Sequence, residues 1–189
     1  MTQSFWGHSL ISLGAFPLHS RNALRLFLGL ILVFCLYFPA FAQTPPKASP
    51  RTVLLSVTNT KGVVHDFTEE EFAQLPQHKL VTHTTWTDGP QEFKGVLARD
   101  VLHAAGIDVA AEKNRIAVGW ALNDYQTLIP VSDFLDYDVL IARDMNGAPM
   151  SRRNMGPFWV IYPRDTHPKL NDPLYDYRWI WQLRSLSLK

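Results

Sequence analysis

The chain has 189 residues, of which 47% are hydrophobic and 19% are charged, and its formal net charge at pH 7 is +1. This composition is typical of a globular protein with a packed core, and the length fits a single domain. The near-neutral charge argues against a general binder of nucleic acid or of anionic membrane surfaces, because such proteins carry an excess of basic residues.

Residues 1–42 have the features of a secretory signal peptide. Arg21 and Arg25 precede a run of 13 apolar residues, LFLGLILVFCLYF, which spans residues 26–38. Ala40-Phe41-Ala42 then matches the small-x-small pattern of a cleavage site. Because the run is too short for a comfortable membrane span, we predict cleavage after Ala42 and a periplasmic or secreted protein. An uncleaved anchor is the alternative.

Removing residues 1–42 changes the charge and the available chemistry. It leaves 16 basic against 17 acidic residues, which is a net charge of −1. The only cysteine, Cys35, lies in the predicted signal, so the remainder has no thiolate for catalysis or for a soft metal. Residues 43–51, QTPPKASPR, are rich in proline and small polar residues, which predicts a flexible linker. The folded domain is therefore predicted over residues 52–189.

Apolar and β-branched runs predict most of the strands, and turn residues separate them. The predicted strands are 53–57, 63–67, 79–85, 115–122, 126–130, 139–141, 158–162 and 179–188. The predicted turns are 59–62, 87–90, 123–125 and Asn146-Gly147. Residues 165–176 are predicted to be a polar loop.

Three short helices are predicted. Thr68 and Glu71 form a capping box, and Pro76 ends that helix. Residues 93–96 are predicted to lead into a second helix that ends at Gly106. Residues 131–137 predict a helical turn with Ser132 as a possible cap. Strands and short helices in mixed order, without regular βαβ spacing, predict an α+β fold with a single mixed-sheet domain.

The sequence lacks the common catalytic motifs. It has no G-x-S-x-G, no P-loop, no G-x-G-x-x-G and no H-E-x-x-H. Five histidines lie after residue 42, and none is placed with another at metal-ligand spacing, so we predict neither a catalytic residue nor a metal site. These histidines are His65, His78, His83, His103 and His167.

Candidate binding residues are aromatic, amide or charged side chains beside predicted turns. Arginine forks match oxyanions, and aromatic faces line pockets. Each has a structural alternative, because tryptophans are common in cores and exposed charges are ordinary on surfaces. The candidates are Trp86, Asn123, Asp124, Tyr125, Arg143, Arg152, Arg153 and Asn154.

Five segments, in order, resemble the sulfite-oxidase-type molybdopterin-binding domain. Each is a weak match alone, and their order makes them fairly specific for the fold. They are GVLARDVL at 95–102 followed by Ala105-Gly106, NDY at 123–125 followed by Ile129-Pro130, DMNGAPM at 144–150, Gly156-Pro157 through Tyr162-Pro163, and the closing segment 179–186.

The resemblance implies an α+β domain that holds a molybdenum-pterin cofactor and performs oxygen-atom transfer. It also implies that the candidate residues contact the pterin or its phosphate. The family ligates molybdenum through a cysteine on the segment that corresponds to Leu80–Trp86, LVTHTTW, where His83 or Thr84 lies nearest the expected place. The signal peptide predicts that this oxidoreductase-like domain is exported. The missing thiolate predicts that it is catalytically degenerate.

Two other functions stay open at the level of sequence. One is a non-catalytic periplasmic binding or sensory module for a small anionic or polar ligand, working with a signalling or membrane protein partner. The other is a structural accessory subunit without a small-molecule site. Nucleic acid is not an expected partner in any of the three.

Overall fold

The computed structural model describes residues 52–189, so the predicted signal peptide and linker lie outside the described residues. The strands are β1 Val53–Thr58, β2 Val64–Thr68, β3 Gln77–Thr82, β4 Gln91–Leu97, β5 Ile116–Ala121, β6 Gln126–Pro130, β7 Leu140–Met145, β8 Ala148–Pro149, β9 Trp159–Ile161 and β10 Leu183–Leu188. The α-helices are α1 Glu69–Gln74, α2 Ala98–Ala104 and α3 Asp133–Asp136. Short 3₁₀ segments span Arg164–Thr166, Pro168–Asn171 and Pro173–Arg178.

The strands form two five-stranded sheets. The first has the order β2-β1-β10-β5-β6, with β10 parallel to β1 and every other pairing antiparallel. The second has the order β3-β4-β7-β8, with β9 also paired to β7, and its pairings are antiparallel. The predicted α+β class is confirmed, and the division of the strands between two sheets is a feature that their sequence patterns do not specify.

Both sheets contribute to one buried cluster. Leu55 and Leu186 come from the first sheet, whereas Phe93, Ile141 and Trp159 come from the second, and all five are fully buried. Burial of this apolar surface is the main stabilising contribution to the fold. Within residues 52–189, no helix is both long and apolar enough to cross a membrane.

The capping box at α1 is confirmed. Thr68 Oγ1 accepts from the Glu71 amide at 3.2 Å, and Glu71 Oε2 accepts from the Thr68 amide at 2.9 Å. Phe72 is buried on the inner face of this helix. The helix ends at Gln74, before Pro76, as predicted. At α3, by contrast, the Ser132 side chain makes no capping hydrogen bond.

Residues 93–96 lead into a helix as predicted, but they themselves form a strand, which the sequence did not predict. These residues belong to β4, which lies between β3 and β7 in the second sheet, and α2 begins only at Ala98. Gly95 is placed against β7 so closely that a Cβ atom there would lie 2.1 Å from Ile141 O. Glycine in a strand often marks such an approach of two backbones.

Two further boundaries differ from the predictions. The strand predicted at 79–85 is β3, which ends at Thr82, and the closing strand begins only at Leu183. Gln182 has a φ of 53°, which breaks the extended conformation before β10. Residues 179–181 therefore form a buried or half-buried connection, and Trp181 makes an isolated bridge to Trp159.

Candidate functional site

An aromatic pocket of about 330 Å³ opens between the ends of several elements. We call it the Trp86 pocket. Five of its eight lining side chains are aromatic, one is a carboxylate and one is an amide, and no lysine or arginine lines it. The lining residues are Trp86, Asn123, Tyr125, Asp176, Tyr177, Trp179, Ile180 and Trp181.

Trp86 is fixed on the turn that follows β3. Its amide donates to Thr84 Oγ1 at 3.1 Å, and the hydroxyls of Thr84 and Thr87 are hydrogen-bonded at 2.8 Å. The Trp86 ring lies 6.0 Å from the Trp179 ring and 5.4 Å from the Trp181 ring, nearly perpendicular to the latter. Edge-to-face contacts of this kind hold aromatic rings in defined orientations.

The turn between β5 and β6 supplies another wall. Asn123 Oδ1 accepts from the Tyr125 amide at 3.2 Å, and the Tyr125 hydroxyl donates to Tyr177 O at 3.4 Å. Asp124 adopts a φ of 63° and does not line the pocket. It instead forms an exposed ion pair with Arg184 at 3.0 Å. The structure thus brings together Trp86, Asn123 and Tyr125 among the predicted candidates.

A hydrogen-bonded network lies at the Asp176 side of the pocket. Arg164 donates to Asp176 Oδ1 and, at 2.8 Å, to Thr85 Oγ1, and Thr85 in turn donates to Asp176 Oδ2 at 3.1 Å. The Arg164 guanidinium also lies 5.3 Å from the Trp179 ring centroid, within the range of a cation–π contact. The cation thus neutralises Asp176 and holds Trp179 without itself lining the pocket.

A second, buried network supports the same wall. Asp133 Oδ2 accepts from the Tyr162 hydroxyl at 2.9 Å and from Arg178 Nη1 at 2.5 Å. Burial, followed by the neighbouring Asp133 carboxylate, raises the pKa of Tyr162 well above its ordinary value. For Arg178, burial alone would lower the pKa, but hydrogen bonds to Tyr177 and Asp133 outweigh it and raise the pKa. Arg178 therefore stays charged and anchors the segment that carries Asp176 and Tyr177.

The other predicted residues lie elsewhere. Arg152, Arg153 and Asn154 are on an exposed loop and do not line the Trp86 pocket. This loop is nevertheless attached next to the pocket, because Gln182 Nε2 donates to Arg152 O at 2.7 Å and the Gln182 amide donates to Met155 O at 2.9 Å.

Arg143 lines a separate cavity of about 190 Å³, and the two sets of lining residues share no member. Arg143, which the sequence analysis grouped with the other candidate binding residues, therefore lies apart from Trp86, Asn123 and Tyr125.

The candidate binding residues chosen from the sequence include none of those that the segment 173–181 contributes to the pocket. Asp176, Tyr177, Trp179, Ile180 and Trp181 all line the pocket. A signal was present, because residues 173–181, PLYDYRWIW, hold four aromatic residues in nine positions. The prediction of a polar loop running into a regular closing strand obscured it.

The lining side chains of the Trp86 pocket can bind a ligand through stacking and hydrogen bonds. Aromatic faces suit a flat, conjugated ring, and the Asp176 carboxylate and Asn123 amide can pair with ring donors and acceptors. Across residues 52–189, no group of three or more His, Cys, Asp or Glu side chains is placed to hold a metal ion. His83, which directly follows β3, pairs through Nδ1 with Asp165 Oδ2 at 3.0 Å.

Comparison with known proteins gives one family. Residues 44–166 match the model of the oxidoreductase molybdopterin binding domain. Among solved structures, the chain is similar in fold to the sulfane dehydrogenase SoxCD from Paracoccus pantotrophus, with a TM-score of 0.53 and 17% sequence identity. That match covers 75% of this chain and 39% of the other, so this chain spans about two fifths of the length of the neighbour. No curated protein matches.

Proposed function

We propose that the chain, which belongs to the oxidoreductase molybdopterin-binding domain family, is an exported and catalytically degenerate member. In this proposal the domain keeps the pterin-binding part of the site and does not ligate molybdenum through a cysteine of its own. One observation carries the proposal. The Trp86 pocket adjoins the segment on which the family's cysteine is expected, and that segment, residues 80–86, contains no cysteine.

The residues of the pocket fit the organic part of the cofactor. A pterin is a flat heterocycle with several N–H donors, and the Trp86, Trp179 and Trp181 rings offer apolar faces for it. Asp176 already accepts from Arg164 and Thr85, yet a carboxylate provides about four lone-pair sites, which leaves acceptor capacity for a ligand N–H.

A phosphate on the ligand needs a cation, and none lines the pocket itself. Arg152 and Arg153 are the candidates, because their loop is attached through Gln182 beside Trp181. Both side chains are exposed and make no ion pair among residues 52–189, so both are available. In this assignment the rings hold the heterocycle and the loop holds the anion.

The residues do not fit a thiolate-bound metal. When bound through a thiolate, the molybdenum centre of the family supplies oxygen-atom transfer. Cys35 is the only cysteine and lies in the predicted signal. His83 offers an imidazole nitrogen, which is a harder ligand than a thiolate. We therefore assign no redox step to this chain. The family match lends no support to a purely sensory module or to an accessory subunit.

Cofactor analysis tests this proposal directly. The chain with its signal would be expressed in a host that makes molybdenum cofactor, and the purified protein would be assayed for molybdenum by mass spectrometry and for pterin by fluorescence after oxidation. We expect pterin to copurify with the protein. In Trp86→Ala, the affinity for pterin should fall at least about fivefold, because base–aromatic stacking contributes on the order of 1–3 kcal/mol for each ring.

Trp120→Ala is the matched control, because Trp120 is half-buried on β5 and does not line the pocket. It should keep the pterin affinity of the wild type. Oxygen-atom transfer by the pterin-loaded protein would contradict catalytic degeneracy. Absence of pterin from the wild-type protein would contradict retention of the binding site.

A further inference from the structure

Arg143 occupies an irregular position in the second sheet. In the pairing of β4 with β7, Lys94 lies opposite Asp144 and Gly95 lies opposite Ala142, so Arg143 is an extra residue on β7. Such a bulge turns a side chain out of the regular alternation, and bulges are frequent beside functional sites. Here it places Arg143 in a cavity of about 190 Å³, which we call the Arg143 cavity.

The guanidinium of Arg143 is only partly used. Its Nη2 donates to Glu69 Oε1 at 2.7 Å. Its Nε and Nη1 are buried and have no hydrogen-bond partner among the described residues. The side chain as a whole is 20% exposed. Leaving buried N–H donors of a charged group without an acceptor is costly, so the cavity requires an acceptor from outside residues 52–189.

The residues that line the cavity limit the chemical class of the acceptor that can bind there. Four apolar residues form one part, and Lys94 adds a donor to the two unpartnered nitrogens of Arg143. Gln77 Nε2 is already used, because it donates to Phe72 O at 3.1 Å and to Leu75 O at 3.0 Å. The remaining members, Glu69 and Asp144, are acidic. The full set is Leu54, Glu69, Phe72, Ala73, Gln77, Lys94, Arg143, Asp144 and Phe158.

Lys94 is the second cation of the cavity. It is exposed and makes no ion pair within residues 52–189, although it faces Asp144 across the strands. Glu69 is 60% exposed and engages a single nitrogen of Arg143. The Glu69–Arg143 ion pair therefore leaves Arg143 Nε and Nη1 free to bind a ligand, together with the Lys94 ammonium.

We propose that the Arg143 cavity is a second binding site, separate from the Trp86 pocket, for a small oxyanion group such as a carboxylate or an inorganic oxyanion. Arg143 Nε and Nη1 donate to its oxygens, Lys94 adds charge, and Leu54, Phe72 and Phe158 contact any short apolar part. Arginine donors to an anion form charge-assisted hydrogen bonds, which are stronger than bonds between neutral groups.

Thermal unfolding of the purified full chain tests this site. Melting temperatures would be measured in sodium acetate and in sodium sulfate, against sodium chloride at the same ionic strength and pH. Specific binding raises the melting temperature along a saturating curve, whereas exclusion of sulfate from the surface gives a rise that does not saturate. We expect saturation with at least one of the two probes. Acetate alone would identify a carboxylate site, and both would identify a general oxyanion site.

Four variants separate the site from general charge effects. Arg143→Gln should weaken the apparent affinity at least about tenfold, which is the loss of one charge-assisted hydrogen bond. Lys113→Gln removes one positive charge from an exposed residue that lines neither the Arg143 cavity nor the Trp86 pocket, and it should leave the affinity unchanged. Glu69→Gln removes the competing carboxylate and should strengthen binding, whereas Glu70→Gln, one residue further along α1, should not.

Water alone in the cavity is the competing explanation. It predicts no saturating effect of either anion on the wild type, or equal affinities in the wild type and Arg143→Gln, and either result would overturn the proposal. If Arg143→Gln does not fold, Lys94→Gln and Glu69→Gln test the proposal instead. Lys94→Gln should weaken binding of the anion, and Glu69→Gln should strengthen it. Unchanged affinity in both would also overturn it.

Discussion

Thr85 Oγ1 donates to Asp176 Oδ2 at 3.1 Å, although 91 residues separate the two in the chain. Trp86 follows Thr85 directly, and Tyr177 follows Asp176. The hydrogen bond therefore fixes the distance between two walls of the Trp86 pocket. Arg164 donates to both partners and packs on Trp179, so three segments of the chain meet at this point.

Loss of Arg164 should destabilise the domain. Its side chain is 12% exposed and that of Asp176 is 22% exposed, so Arg164→Met leaves a largely buried carboxylate without its cation. We expect the free energy of unfolding to fall by about 3 kcal/mol, as is typical when one partner of a buried pair is removed. Urea unfolding followed by tryptophan fluorescence measures this change.

Arg184→Met is the control for that experiment. The Arg184–Asp124 pair is exposed, at 45% and 81% for the two side chains, and its loss should cost less than about 1 kcal/mol. Equal losses in the two variants would show that the Arg164 network does not hold the pocket walls together.

Tyr162 should make the fold sensitive to alkaline pH. Because burial raises the pKa of Tyr162 above that of an unfolded tyrosine, the native state retains its proton more tightly. Its stabilising contribution is complete below about pH 10, the ordinary pKa of tyrosine, and is lost as the pH rises from there through the folded pKa.

Tyr162→Phe should therefore flatten the decline of stability above about pH 10. Below that pH the variant should lose about 1–2 kcal/mol, because Asp133 loses a hydrogen-bond donor. Denaturant midpoints measured from pH 7 to pH 11 give both quantities. Tyr125→Phe, at an exposed tyrosine, serves as the control, and a pH slope equal to that of the wild type in Tyr162→Phe would contradict the assignment.

Gly95→Ala should be severely destabilising. The added Cβ would lie 2.1 Å from Ile141 O and 2.7 Å from Ala142 Cα, both backbone atoms of the paired strand, so β4 and β7 would have to separate. We expect a loss of about 3 kcal/mol or more, the upper range for overpacking in a core.

Gly119→Ala, also in a strand, is the matched control, since its Cβ would meet only side-chain atoms at 3.5 Å or beyond. Thermal unfolding of both variants compares the two positions. A melting temperature of Gly95→Ala as high as that of Gly119→Ala would show that the strands yield more easily than the close approach indicates.

Export should remove residues 1–42. The mature protein is expected to begin at Gln43, which N-terminal sequencing of the periplasmic fraction would establish. Leu30→Arg interrupts the apolar run and should leave an uncleaved precursor in the cytoplasm. A wild-type chain found at full length in the membrane fraction would instead support the anchor alternative.

Local patterns were most successful where the interactions are themselves local. The capping box of Thr68 and Glu71 and the Asn146-Gly147 turn between β7 and β8 involve residues at most three apart, and both are present. The strand at β4 was missed because its pairing is with β3 and β7. The role of Gly95 depends on Ile141, which is 46 positions away.

The candidate site, too, was predicted only where the signal is local in the sequence. The sequence singled out Trp86, Asn123 and Tyr125 from their neighbouring turns, and the structure brings these three together. It also grouped Arg143 with them, whereas the bulge in β7 aims that side chain into another cavity. Asp176 and Trp181 were not selected, because nothing in their own segment indicates that it closes over residues 84–87.

Residue identity and order are enough to establish the family, the α+β class and the absence of a cysteine from residues 43–189. The tertiary structure decided which side chains share a pocket and which donors are left without an acceptor. Those properties arise from contacts between segments that are distant in the chain, and they are set by strand register and by burial in a common core.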